Sequence, residues 1–264
     1  MSKEIIPYAE ASKVTQLAPG VFLANLSANF CVGSVPNGGY VASTIIRAAA
    51  EHLASRGQTD SITSHFEFID RTEPGPALII LEDPTAPFIT PRTRKLLLSY
   101  LTNASLAREQ GLTLDTHRSP LVRSNDNLQC FFPTTAPRRG QEDVWLRLAS
   151  GERLTNAVLA YIVDSMPYLV EGWRPAADEP QTPYRTDDVW WYPTLVLNLD
   201  IKRGLPAEGV EWLFMRTMAR EIRNGRFDLE VTILDEQGNL VALASHVNMI
   251  LSMARNMKKR TEKL

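Results

Sequence analysis

The sequence predicts an α+β protein of two antiparallel sheets, each wrapped round one long helix. Three observations predict it. Two apolar helical segments start about 120 residues apart in a chain of 264 residues, and strands rather than further helices follow each. That spacing is close to half the chain, so one architecture occurs twice although the halves share little identity. Each helix is apolar on most faces, and such a helix belongs inside a curved sheet rather than on its wet surface.

The first helix is expected from about Asn37 to Leu53. Pro36-Asn37-Gly38-Gly39 is a start signal with Asn at the capping position, and Val41, Ile45, Ile46, Ala49 and Leu53 recur at helical spacing. The small residues Ala42, Ser43 and Ala48 to Ala50 let other segments approach closely, while Arg47 should face solvent or an acid. Strands follow at Ser61–Phe68, Ala77–Leu81 and Leu96–Leu101. The second helix is expected from about Asn156 to Val170, after a Thr155 cap, with Pro167 ending or bending it. Strands then follow at Thr194–Ile201, Glu211–Ile222, Arg226–Leu234 and Leu240–Leu251. Asp228 to Leu234 alternates polar and apolar, the mark of a sheet with one wet face, and Asp235-Glu236-Gln237-Gly238-Asn239 is a hairpin turn. Phe132 to Gly140 has linker composition, which divides the chain into residues 1–135 and 136–264.

Composition excludes several classes. Hydrophobic residues make up 44 % and charged residues 22 %, enough apolar material for a folded core. The net charge of −2 gives no bulk drive toward nucleic acid. Two cysteines, Cys31 and Cys130, exclude a disulfide scaffold, and no His or Cys pair has zinc spacing, so no metal is expected. There is no Gly-x-Ser-x-Gly elbow and no phosphate-binding glycine loop. No apolar run reaches a membrane-spanning length of about 18 residues. Met1 to Pro7 lacks a secretory core, and Glu262-Lys263-Leu264 approximates a peroxisomal address poorly, so the expected compartment is cytoplasmic.

Particular segments carry a resemblance. Pro36-Asn37-Gly38-Gly39-Tyr40-Val41-Ala42 before an Ala-rich helix resembles the start of a hotdog central helix. Thr155 to Pro167 resembles the second helix of double-hotdog acyl-CoA thioesterases, and Pro193 to Asp200 and Leu240 to His246 resemble two of their strands. The chain thus resembles the thioesterase-like superfamily of TesB-type acyl-CoA thioesterases, in its fungal branch. The resemblance implies a double hotdog fold, with a water-holding carboxylate at Asp164 and a hydroxyl partner at Thr194. It puts a third polar partner at His246, where the family has Gln.

Each site residue has a plainer reading beside it. Asp164 lies among Ile162, Val163 and Met166; a buried carboxylate needs a partner or a task, and the plain alternatives are solvent or a pair with Arg153. Thr194 is an ordinary strand residue by itself, and His246 in an apolar strand is by default a core histidine, though suited to proton transfer. Asn37, Gly38 and Gly39 could offer helix-start N–H groups to an oxyanion or merely cap the helix. His65, beside Phe66 and Phe68, and Trp191, with Trp190 and Tyr192, are candidate substrate-binding residues or structural ones. Arg92, Arg94, Lys95, Arg255 and the tail Lys258-Lys259-Arg260 could meet phosphates of coenzyme A, or form a solvated face.

The expected activity is hydrolysis of acyl thioesters, with coenzyme A entering only as part of the substrate and no cofactor. The alternatives are a non-hydrolytic hotdog enzyme (dehydratase, isomerase or cyclase) on a polyketide-type intermediate, with His246 moving a proton, and a non-catalytic acyl binder. A homodimer is an expectation from the edge-to-edge habit of such sheets.

Overall fold

The computed structural model describes residues 5–57, 60–81, 113–114, 122–133, 139–173 and 189–258. Its helices are α1 (Tyr8–Ala11), α2 (Gly38–Leu53), α3 (Leu159–Val163) and α4 (Met253–Met257). The strands are β1 (Val14–Ala18), β2 (Val21–Leu26), β3 (Cys31–Val32), β4 (Val35–Pro36), β5 (Thr63–Glu67), β6 (Gly75–Ile80), β7 (Thr113–Leu114) and β8 (Leu128–Phe132). They continue with β9 (Gln141–Leu148), β10 (Trp190–Trp191), β11 (Thr194–Ile201), β12 (Leu213–Met218), β13 (Ile222–Arg223), β14 (Arg226–Leu234), β15 (Leu240–Met249) and β16 (Leu251–Ser252).

Alternation sets the large sheet. In β14, Phe227, Leu229, Val231 and Ile233 are buried while Asp228, Glu230 and Thr232 face outward, so the strand has one dry face as its sequence predicts. Its hairpin to β15 is built by Asp235, whose Oδ1 accepts N–H bonds from Gln237 (3.0 Å) and Asn239 (2.8 Å), with Gly238 at φ +78°. The resulting antiparallel order is β5-β11-β15-β14-β12-β9-β8-β7, with β13 also on β14. A separate sheet runs β1-β2-β6, and β3–β4 and β10–β16 are short pairs.

Both α2 and α3 belong to the main core, with Tyr40, Ala42, Leu159, Tyr161 and Ile162 beside the inward residues of β11, β14 and β15. The closely packed face of α2 is its small one: Gly39, Ala42, Ser43, Thr44 and Ala48 are buried, while Val41, Ile45 and Ile46 are half-buried. Ser43 Oγ accepts the N–H of Tyr161 at 2.9 Å, so the small stripe marks where α3 packs against α2.

Several expectations need correction. The second helix is not a long one. Only Leu159–Val163 is α-helical, flanked by 3₁₀ turns at Asn156–Val158 and Tyr168–Trp173. Ser165 closes it: its N–H (3.1 Å) and its Oγ (2.7 Å) both donate to the Ile162 carbonyl, and Pro167 has no N–H with which to continue. Nor does each half keep its own sheet. β5 pairs with β11 and β8 pairs with β9, so strands from before and after residue 136 share the nine-stranded sheet. The sequence reading also omitted β1, β2, β8 and β9, and split β12–β13 and β15–β16 are single runs in it. The strand expected at Leu96–Leu101 lies outside the described residues, as does most of the linker.

Near its C-terminal end the chain is pinned to the β3–β4 hairpin. Buried Asn256 accepts the Ser34 N–H through Oδ1 (3.0 Å) and donates through Nδ2 to the Val32 carbonyl (2.9 Å). Gly33 (φ +60°) makes room: a Cβ there would stand 2.1 Å from Asn256 Oδ1. Replacing Asn256 with Ala strands both hairpin groups, and urea denaturation is expected to show a loss of about 2–4 kcal/mol.

Candidate active site

The site forms where α2 begins. Asn37 caps the helix, accepting the Tyr40 N–H at 2.9 Å, and its Nδ2 donates to the Asp164 carbonyl at 3.1 Å. Asp164 stands not in mid-helix but at the C-cap of α3, where Ser165 and Pro167 turn the chain. It is 3 % exposed, and both its oxygens are held. Gly39 N–H donates to Oδ2 and Thr194 Oγ1 donates to Oδ1, each at 2.7 Å. Arg153, the alternative partner, donates instead to the Gly209 carbonyl.

Gly39 is required by this approach. A Cβ on it would lie 2.2 Å from the Ala160 carbonyl oxygen and 2.6 Å from Asp164 Cβ. Its N–H is therefore committed to Asp164, which corrects the expectation that it waits for an oxyanion. Gly38 remains available for that part: it lines the cavity, and its N–H has no partner among the described residues.

Thr194 opens β11 beside a bulge and sits opposite Asn248 on β15. Asn248 Nδ2 donates to Thr194 Oγ1 at 2.9 Å. The sequence reading missed this amide. The signal was alternation: Asn248 follows His246 by two residues and faces the same way. The side chain of β15 that reaches Thr194 is thus this amide and not the His246 imidazole. His246 lies behind the carboxylate, its Nδ1 3.4 Å from Asp164 Oδ1 without hydrogen-bond geometry, and it is not among the cavity residues.

A cavity of about 420 Å³ opens onto Asp164, Thr194, Asn37 and Gly38. Trp190, Trp191, Tyr192, Tyr168 and Phe68 give it aromatic walls, and Arg71 and Arg255 also line it. Burial pushes the Tyr168 phenol well up, despite the Asn125 amide that donates to it. His65 is not part of the cavity. Its ring is 56 % exposed on the outer sheet face, where Asn198 first and Glu67 second raise its pKa. Arg92, Arg94, Lys95, Lys259 and Arg260 lie outside the described residues. No described helix is long and apolar enough to cross a membrane.

The comparisons with known proteins agree with this architecture. Residues 26–83 match the acyl-CoA thioesterase N-terminal domain and residues 105–250 the acyl-CoA thioesterase C-terminal domain. The thioesterase-like protein TwmA of Talaromyces wortmannii is 33 % identical, over 96 % of this chain and 94 % of that protein. Two solved structures share the fold. The acyl-CoA thioesterase II TesB2 of Mycobacterium marinum has a TM-score of 0.64 at 15 % identity, over 93 % of this chain and 98 % of its own. A conserved protein of unknown function with a hot dog fold from Alicyclobacillus acidocaldarius has a TM-score of 0.61 at 14 % identity, over 93 % and 98 %. The chain belongs to the acyl-CoA thioesterase family and is an enzyme acting on thioesters.

The two glycines separate packing from chemistry. Gly39→Ala is expected to lower stability by at least about 3 kcal/mol in thermal unfolding. Gly38→Ala, whose Cβ would meet only side chains at 3.1 Å and beyond, should change it by about 1 kcal/mol or less.

Proposed function

We infer that the protein hydrolyses acyl thioesters with a water held between Asp164 and Thr194, the acyl group lying in the aromatic-walled cavity. One observation carries this reading: a buried carboxylate at the cavity, with its two oxygens fixed by donors from two different elements. The hydrogen bonds dictate the polarity. Asn248 donates to Thr194 Oγ1, and the Thr194 hydroxyl hydrogen is committed to Asp164 Oδ1. Thr194 therefore has a lone pair, not a proton, to offer a water. Asp164 likewise only accepts. A water between them donates both hydrogens and turns its own lone pair toward the substrate.

Attack on the thioester carbonyl forms the C–O bond as a water proton passes to Asp164. The carbonyl oxygen gains charge, and the Gly38 N–H, at the start of a 16-residue helix beside the cavity, donates to it. Collapse breaks the C–S bond and releases thiolate, a leaving group good enough to need no covalent intermediate. Coenzyme A enters as part of the substrate. The non-hydrolytic alternative depended on His246 reaching a bound intermediate, and His246 is outside the cavity lining.

Thiol release from a panel of acyl-CoAs, from acetyl to palmitoyl and benzoyl, tests the reading. Asp164→Asn should lower kcat/KM about 10²- to 10⁴-fold and Thr194→Val by a smaller factor, with both variants folded. Full activity in Asp164→Asn on every substrate the wild type accepts would overturn it.

A further inference from the structure

We propose that His246 is a positioning residue for Asp164: its Nδ1 carries the proton and backs Oδ1 as a third donor, beside Gly39 and Thr194. The inference rests on the reading of Asp164 as the water-holding acid, and it gives His246 a role that does not touch substrate.

Placement argues for it. The imidazole is fully buried, and it lies between Leu197 of β11 and Leu229 of β14 in the sheet register. Among the described residues, neither ring nitrogen has a hydrogen-bond partner, and Nδ1 stands 3.4 Å from Asp164 Oδ1. A core position with no task would favour an apolar side chain there, because an unpartnered buried polar atom costs about 1–3 kcal/mol. The direction of the proton follows from the same contact. With Nδ1 bare, its lone pair would face those of a carboxylate oxygen in an apolar setting. With Nδ1 protonated, the contact becomes attractive, and Nε2 is left as the bare nitrogen. At 3.4 Å and off the hydrogen-bond angle the pair is not a formed N–H···O bond, and catalytic hydrogen bonds of this kind align and shorten when substrate is bound.

Positioning differs from packing in what it predicts. Gly39 N–H and Thr194 hold one carboxylate oxygen each. A second donor on Oδ1 from behind stiffens that hold without occupying the face that meets water.

Two measurements decide it. Long-range ¹H–¹⁵N spectra of the histidine rings, with His246 assigned by its loss in His246→Asn, should show Nδ1 protonated and Nε2 bare, and this signature should vanish in Asp164→Ala. A bare Nδ1, or a signature unchanged in Asp164→Ala, overturns the proposal. In thiol-release kinetics, His246→Leu should lower kcat about tenfold or more with KM within about twofold, and His246→Asn, whose amide nitrogen can stand where Nδ1 stands, should restore most of it. Unchanged kcat in the Leu variant, or an Asn variant as impaired as Leu, also overturns it. Should the wild type hydrolyse no thioester, the water-holding reading falls while the ring spectra still locate the proton.

Discussion

The hydrogen bond from Gly39 N–H to Asp164 Oδ2 is the constraint on which the rest of the site depends. It joins the first turn of a 16-residue helix to a carboxylate at the end of a five-residue one. An acid at a helix C-terminus is ordinarily disfavoured, but α3 is too short to exert much of a dipole. The longer α2 presents its positive end to the same group, an effect of about 0.3–2 kcal/mol depending on burial. The longer helix wins, and the carboxylate sits between the two. Only a residue without a Cβ permits this, because the Ala160 carbonyl already occupies the space a Cβ would take.

The cavity is walled by segments far apart in the chain, and the architecture explains why. Val32 and Val35 of the β3–β4 hairpin lie on it, and that hairpin leads directly into Asn37 and α2. Met253 and Arg255 of α4 lie on it as well, pinned to the hairpin through Asn256. Arg71 adds a bond to the Asn256 carbonyl at 2.8 Å. The same contacts that tie the β3–β4 hairpin to α4 thus hold the start of α2 where Asp164 needs it.

Much of this was legible in the sequence, for local reasons. Period-2 alternation marked β14, the strand expected at Thr194–Ile201 is β11 to the residue, and the Asn-Gly-Gly start placed α2. Asp164 and Thr194 came from resemblance, and the structure does bring them into contact. What failed was non-local. The length of α3 is set by Ser165 turning back on Ile162, a competition that apolar spacing does not register. The sharing of one sheet between the halves depends on which strand edges meet, and no residue pattern within a strand encodes that. Asn248 was missed because a neutral amide in an apolar strand looks like a solvated residue until its partner across the sheet is known. His65 misled for the converse reason. Its neighbours Phe66 and Phe68 face one way along β5, and the histidine faces the other.

The inner face of β15 shows where the fold gives way to chemistry. Ala242 and Ala244 continue the apolar pattern, and then His246 and Asn248 replace it with polar groups while the strand stays buried. Both histidine nitrogens and the Asn248 carbonyl oxygen end without hydrogen-bond partners among the described residues. Two apolar residues in their place would satisfy the sheet equally well and avoid the desolvation penalty. Local rules are broken at the two positions that adjoin Asp164 and Thr194, and are obeyed at the positions that do not. On this strand the departure from the fold's own logic falls at the neighbours of one carboxylate, as a site built around that carboxylate requires.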